Sequence, residues 1–458
     1  MVADSANALD PRLAALLPLD RPEAPLELAF WIELERPLPR AKLAALVQER
    51  LPRLPHAREM LVRPAGGAGL PRWQEAEDFS LGRHVIEHGL ARRAARMGEP
   101  TLARLLNQPL PAEGPRWQLH TLRLDRHGAL LLRIHLSWTE PGNEAAWLNA
   151  LLDPQPQARG RSQGASPGSQ ALKEEPELSV RQALADFLVQ SWNHWRRKGD
   201  LLAPARREVD ALAHLLRVAL RPIPSLPFHG PLSGRRTGAW CVFPQAAVRT
   251  IRNRLGGTTW EILIATALGG LSAALRGRSA DVSPPHLVAV VPVDVRSEQD
   301  AARTGRRVTF AVGKLPLDVT APVERLRCVS AQLDLLRVSG ASEPLIRGVR
   351  WLAWAVQLGA EEMLRERLRG LALHTYFWPF PPIRERRYCA GVPVIRMVPL
   401  APLTANLGLV FGLHTYTEEA VISFTADPER LCDLGELVAA TEKAFASLLA
   451  AAESAQVA

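Results

Sequence analysis

The chain has 458 residues, 47% of them hydrophobic, which excludes a largely disordered protein and predicts two to three domains, each with its own core. Its formal net charge of +9 suits an acidic partner. The arginines are scattered in small groups (Arg92-Arg93, Arg196-Arg197-Lys198, Arg206-Arg207, Arg235-Arg236, Arg386-Arg387) without zinc-finger spacing or an RNA-binding signature, which argues against nucleic acid.

Cys241, Cys328, Cys389 and Cys432 stand far apart, so neither a disulfide framework nor a metal site is expected, and a reducing cytoplasm fits. The opening Met1-Val-Ala-Asp-Ser-Ala lacks the basic start and apolar run of a signal peptide. No apolar stretch reaches spanning length, so membrane contact is expected to be peripheral.

In chain order, residues 26–36 predict a strand and residues 39–51 a helix with Leu43, Leu46, Val47 and Leu51 on its buried face. Residues 129–136, Ala-Leu-Leu-Leu-Arg-Ile-His-Leu, form a nearly continuous apolar run entered from the turn Asp125-Arg-His-Gly128, the pattern of a buried central strand. A polar loop follows, and then a helix over residues 144–152. His135 near the end of that strand is a candidate base, because imidazole titrates near neutrality. Neighbouring side chains on a strand point to opposite faces, so His135 cannot stand in for position 136 without a bulge or loop shift.

Residues 154–176 shift to Gln, Gly, Ser and Pro, as a linker does. We place a hinge here, with domains over 1–153 and 206–458 and a linker and connecting helix over 154–205. Val180, Leu184, Phe187, Leu188, Trp192 and Trp195 have helical spacing and end in three basic residues, so that helix either packs on the body or lies at an interface. Residues 228–236 hold a tight Gly-Pro turn, with Arg235 and Arg236 as phosphate candidates beside its turn-forming role. Gly256-Gly257-Thr258-Thr259-Trp260-Glu261 opens a helix that Thr258 or Thr259 caps. A strand over 287–296 ends on Asp294 and Arg296, and a helix follows over 322–336. Residues 345–368 carry a long amphipathic pattern, read as core in preference to membrane anchor. Residues 407–416 and 420–425 form a hairpin, and Asp427-Pro428 starts a terminal helix running to about 451.

Arg133-Ile134-His135-Leu136-Ser-Trp-Thr-Glu140-Pro141 resembles the Lys-Ile-His-His-x-x-x-Asp-Gly segment of the bacterial wax ester synthase/diacylglycerol acyltransferase family. The order of the Pro71-Arg-Trp73, Asp78-Phe79-x-Leu81-x-x-His84-Val85, Pro115-Arg-Trp117, Gly230-Pro-x-x-Gly234-x-Arg236 and Val291-Pro-Val-Asp294-x-Arg296 elements carries the resemblance over nearly the whole chain. It implies an α/β fold of two chloramphenicol acetyltransferase-like domains, shared with condensation domains, with a channel between them. It also implies attack of a fatty alcohol or diacylglycerol hydroxyl on an acyl-CoA thioester, with no cofactor and no covalent acyl-enzyme.

Four polar family positions are changed. The catalytic histidine is Leu136, and Trp260, Arg306 and Pro379 replace polar residues. Glu140 stands for the family's Asp, with Arg296 as its loop-orienting partner. Trp138, Trp260, Glu261 and Trp378 are assigned to the channel. Two readings follow: an acyltransferase that uses His135, or a non-catalytic homologue that binds acyl-CoA or lipid. The implied location is the cytoplasm, with peripheral contact to the inner membrane or lipid inclusions.

Overall fold

A computed structural model describes residues 7–64, 69–91, 100–124, 126–139, 145–156, 222–278, 285–294, 308–431 and 433–455. Two six-stranded mixed sheets organise it. The strands are β1 (Glu27–Leu34), β2 (Glu59–Val62), β3 (Arg72–Glu75), β4 (Val85–Ala91), β5 (Trp117–Leu124), β6 (His127–His135), β7 (Thr237–Pro244), β8 (His286–Asp294), β9 (Val308–Pro316), β10 (Thr375–Pro379), β11 (Tyr388–Cys389), β12 (Val392–Leu400), β13 (Leu409–Tyr416) and β14 (Glu419–Ala426). The helices are α1 (Pro11–Ala14), α2 (Arg40–Arg50), α3 (Pro100–Leu106), α4 (Ala146–Leu151), α5 (Gln245–Leu255), α6 (Thr259–Arg278), α7 (Pro322–Val338), α8 (Ser342–Gln357), α9 (Glu361–Arg367) and α10 (Leu434–Ser454).

The first sheet runs β11-β12-β1-β6-β5-β4 and the second β7-β14-β13-β10-β8-β9, with β2 and β3 paired apart. The first sheet is therefore completed by strands from the far half of the chain. β12 pairs antiparallel with β1, setting Pro399 opposite Phe30, and Asp153 bridges to Tyr388 of β11. Periodicity did not mark β12 as a strand because it carries Pro393 and Pro399, which cannot donate to a ladder.

Alternation along β1 and β6 sends Leu28, Phe30, Ile32, Leu130, Leu132 and Ile134 to one face, where α2 and α4 close the first core. Ala29, Trp31, Ala129 and Leu131 take the opposite face, against α3 and against Trp240 and Val421 of the second half. The second sheet builds a separate core with α5, α6, α7 and α10. Gly412 allows the two halves to meet closely: a Cβ there would lie 2.3 Å from Ser423 Oγ of β14 and 3.0 Å from the Pro399 carbonyl oxygen of β12, so a side chain would push these strands apart.

Two helical expectations change. The 345–368 pattern is two helices, α8 and α9, broken where Gly359 takes φ +82°. The terminal helix starts at Leu434, capped by Asp433, whose Oδ1 accepts the Glu436 amide at 2.9 Å. Asp427 is instead fully buried and accepts the Ser233 amide at 2.6 Å and its hydroxyl at 2.7 Å, which pins the 230–236 turn. The helix expected over 180–195 lies outside the described residues.

Candidate active site

β6 keeps an unbroken register with β1 from Gly128 to His135, with His135 opposite Glu27. No bulge re-aims the histidine, and by alternation it shares the face of Arg133 and Leu131 while Leu136 takes the other. Past His135 the chain turns into a short 3-10 segment, Leu136–Trp138.

His135 is 1% exposed. Its Nδ1 accepts the Ser137 amide at 3.2 Å, so the neutral ring carries its proton on Nε2. Nε2 lies 3.1 Å from Asp20 Oδ2, close enough for charge pairing though off the line of a well-formed hydrogen bond. Asp20 also accepts from Arg116 at 3.1 Å and from the Leu26 amide at 3.1 Å. Burial lowers the His135 imidazole below its usual range, against the pull of Asp20. Burial would raise the Asp20 carboxyl, but His135 and Arg116 hold it well below the usual carboxylate range. The lone pair of His135 is thus occupied by a backbone amide.

Leu136 is 4% exposed and packed into the first core. Trp138 is buried in that core as well, donating from Nε1 to the Glu59 carbonyl at 3.1 Å and packing edge-on against Trp73. Glu140, Arg296 and Arg306 lie outside the described residues.

Trp260 is half-buried on the first turn of α6 and packs on the second core. Glu261 forms a capping box: its Oε2 accepts the Thr258 amide at 3.0 Å while Thr258 Oγ1 accepts the Glu261 amide at 3.3 Å. Ser330 also donates to Glu261 Oε2, at 2.7 Å. Trp378 is half-buried between Tyr376, Phe310 and Phe380. Arg235 is exposed. Arg236 is buried, and its Nη2 donates to Glu27 Oε2 at 2.8 Å and to the Leu106 carbonyl. Arg133 reaches the same Glu27 oxygen at 2.7 Å. The guanidinium of Arg236 thus neutralises an internal carboxylate.

A cavity of about 10 Å³ lies at the seam between the halves. Phe30 of β1, Leu148 of α4, Phe380, Met397 and Pro399 of β12, and His414 of β13 line it. It is on the Leu136 face of the first sheet, and Phe30 stands opposite Leu132, four residues before Leu136. Trp378, assigned to the channel, packs on the cavity wall, stacking at 6.3 Å on Phe380. His414, Asp20, Arg116 and Glu27 were not singled out from the sequence. A histidine inside the otherwise apolar run Leu-Val-Phe-Gly-Leu-His-Thr-Tyr was the available signal for His414. Asp20 belongs to no local pattern.

Comparison with known proteins covers both halves of the chain. The profile of the wax ester synthase/diacylglycerol acyltransferase catalytic domain matches residues 9–262, and that of the WS/DGAT C-terminal domain matches residues 304–449. Proteins of Mycobacterium bovis and Mycobacterium tuberculosis that carry the name diacylglycerol O-acyltransferase are each 25% identical over 431 residues, 91% of this chain and 90% of theirs. The wax ester synthase/diacylglycerol acyltransferase of Marinobacter aquaeolei VT8 superposes with a TM-score of 0.66 at 18% identity, covering 98% of this chain and all of that one. The first condensation domain of the calcium-dependent antibiotic synthetase gives 0.56 at 15% identity, over 98% of this chain and 95% of that one. The fold is therefore α/β, of two chloramphenicol acetyltransferase-like domains.

Proposed function

The chain belongs to the wax ester synthase/diacylglycerol acyltransferase family, and on that premise we propose that it transfers a long-chain acyl group from acyl-CoA to a fatty alcohol or diacylglycerol hydroxyl. The observation that carries this reading is the match of residues 9–262 and 304–449 to the family's two domains, on a frame whose halves meet at a seam just past the β6 loop. His135 is read as a structural residue that braces the N-terminal segment through Asp20. Exposed Arg235 remains the candidate for the coenzyme's phosphates.

A second reading, a non-catalytic homologue that binds acyl-CoA, is favoured by one observation: Leu136, at the family's base position, is packed into core. Losing a general base typically costs about 10²–10⁴ in rate, so turnover separates the two. Purified protein is given labelled long-chain acyl-CoA with a fatty alcohol or with diacylglycerol, and ester formation is followed beside acyl-CoA binding. Product that depends on acceptor is expected. Binding without product under either acceptor would leave the non-catalytic reading.

Peripheral contact of a cytoplasmic protein with the inner membrane or lipid inclusions belongs to the same proposal. It is supported by α8, where Ile346, Arg350, Trp354 and Leu358 recur every four residues and all face outward. Six of the eight exposed large hydrophobics among the described residues fall between positions 335 and 363.

A further inference from the structure

An acyl transfer with no base at the end of β6 needs one elsewhere, and the histidines can be sorted by what their ring nitrogens meet. A neutral imidazole has one N–H and one lone pair, and only an uncommitted lone pair can take a proton. The lone pair of His135 is taken by the Ser137 amide. His374 accepts the Val288 amide at 2.9 Å, and its other nitrogen meets the Pro224 carbonyl at 2.7 Å. His84 meets the Trp117 carbonyl inside the first core. His120 is buried against His88 and beside Arg133, on the face of β5 away from the cavity.

His414 differs from all of these. It is 3% exposed and lines the cavity. Neither ring nitrogen has a partner in hydrogen-bonding geometry. Its polar neighbours are the carbonyls of Phe380 and Pro381, which accept and cannot donate. Whichever nitrogen carries the proton, the other holds a lone pair that no protein group fills. Burying an unpaired polar atom costs free energy that a ligand's hydroxyl would recover.

We propose that His414 receives the acceptor's hydroxyl in this cavity and is the general base of the transfer, a role relocated from the end of β6 to β13 of the facing half. This rests on the acyl-transfer reading above. A void of about 10 Å³ has room for about one water-sized group, which matches a hydroxyl. The alkyl chain requires Leu148 and Met397, both buried, to move aside, the latter being a side chain that adapts readily to irregular space. Burial holds the His414 imidazole down at about 4, so it is neutral at pH 7 but a weak base, and the assignment rests on the position of its unpaired nitrogen in the cavity.

The step balances within the two substrates. As the acceptor oxygen bonds to the thioester carbonyl carbon, its proton passes to the free nitrogen of His414. The carbon–sulfur bond of the tetrahedral intermediate then breaks, the imidazolium returns the proton to the departing sulfur, and ester and free thiol leave.

The test is kcat for long-chain acyl-CoA and a fatty alcohol in the natural protein, His414→Gln and Leu148→Trp, with acyl-CoA affinity and melting temperature alongside. His414→Gln is expected to lower kcat by about 10²-fold or more with acyl-CoA affinity unchanged. Leu148→Trp, which fills the cavity and leaves His414 in place, is expected to abolish transfer to the long-chain acceptor. A folded His414→Gln protein with kcat within about threefold of natural overturns the assignment. If that variant does not fold, unchanged turnover in Leu148→Trp overturns it. Absence of turnover in the natural protein removes the acyl-transfer reading and this assignment together, whereas turnover that survives both variants removes only the assignment.

Discussion

At the scale of single residues, burial divides the ionisable groups into those that hold charge and those that give it up. Glu27 keeps its charge because Arg133 and Arg236 both meet its Oε2. Burial would raise its pKa, but the two guanidiniums hold it below the ordinary value. His120 and His414 are left neutral, since burial lowers them from 6.5 to about 3 and about 4. His120 also feels the positive charge of Arg133 and the nearness of His88 and Arg104.

A depressed histidine leaves the folded state binding fewer protons than the unfolded chain between those values. Its contribution to stability is whole above 6.5 and is lost as pH falls towards 4. Urea midpoints are therefore expected to drop between about pH 7.5 and about pH 5, by on the order of 2 kcal/mol for each buried histidine, and less in His414→Gln. A flat profile over that interval would count against neutral buried imidazoles. Among the site residues, only those embedded in a motif were legible beforehand. Asp20, at the far end of the chain from Arg365, reaches His135 through the fold and through no sequence spacing.

At the scale of elements, β1, β6, α2 and the β13–β14 hairpin could be read from alternation and spacing, because each buries a regular face. Thr258-x-x-Glu261 before an apolar run is the capping-box pattern, and Glu261 forms that box. β12 was obscured by its two prolines, and the start of α10 by an Asp-Pro that serves a tertiary contact.

α8 makes its own prediction. Its inner stripe, Ala353 and Val356, is buried, while Ile346, Trp354 and Leu358 are 47%, 36% and 52% exposed around Arg350. Apolar side chains with interleaved arginine suit the boundary of an anionic lipid surface. The protein is expected to co-sediment with vesicles containing phosphatidylserine. Ile346→Glu with Trp354→Glu should weaken that binding severalfold and leave the melting temperature near natural, because both side chains point away from the core. Equal sedimentation of the double variant would rule the stripe out.

At the scale of the whole molecule, the chain is two halves that exchange material. The far half lends β11 and β12 to the first sheet, and Gly412 lets β13 close on β12. Two domains could be inferred from alternating strands and helices in two similar halves. Their interlock could not, since it depends on which edge of the first sheet is left to be filled. The exchange sets Met397 and Pro399 of β12 beside His414 of β13 at the seam near α4. The family frame persists around Leu136, the residue that the resemblance sets at the position of the base.

The central claim is that acyl transfer runs in this frame without the histidine at the end of β6. The most direct measurement is kcat of the natural protein beside His135→Asn, with long-chain acyl-CoA and a fatty alcohol. Asparagine offers both an acceptor for the Ser137 amide and a donor towards Asp20. The account predicts measurable turnover in the natural protein and a variant that keeps kcat within about threefold while its melting temperature falls. A folded His135→Asn protein with turnover lost by about 10²-fold or more would contradict it and return the base to His135.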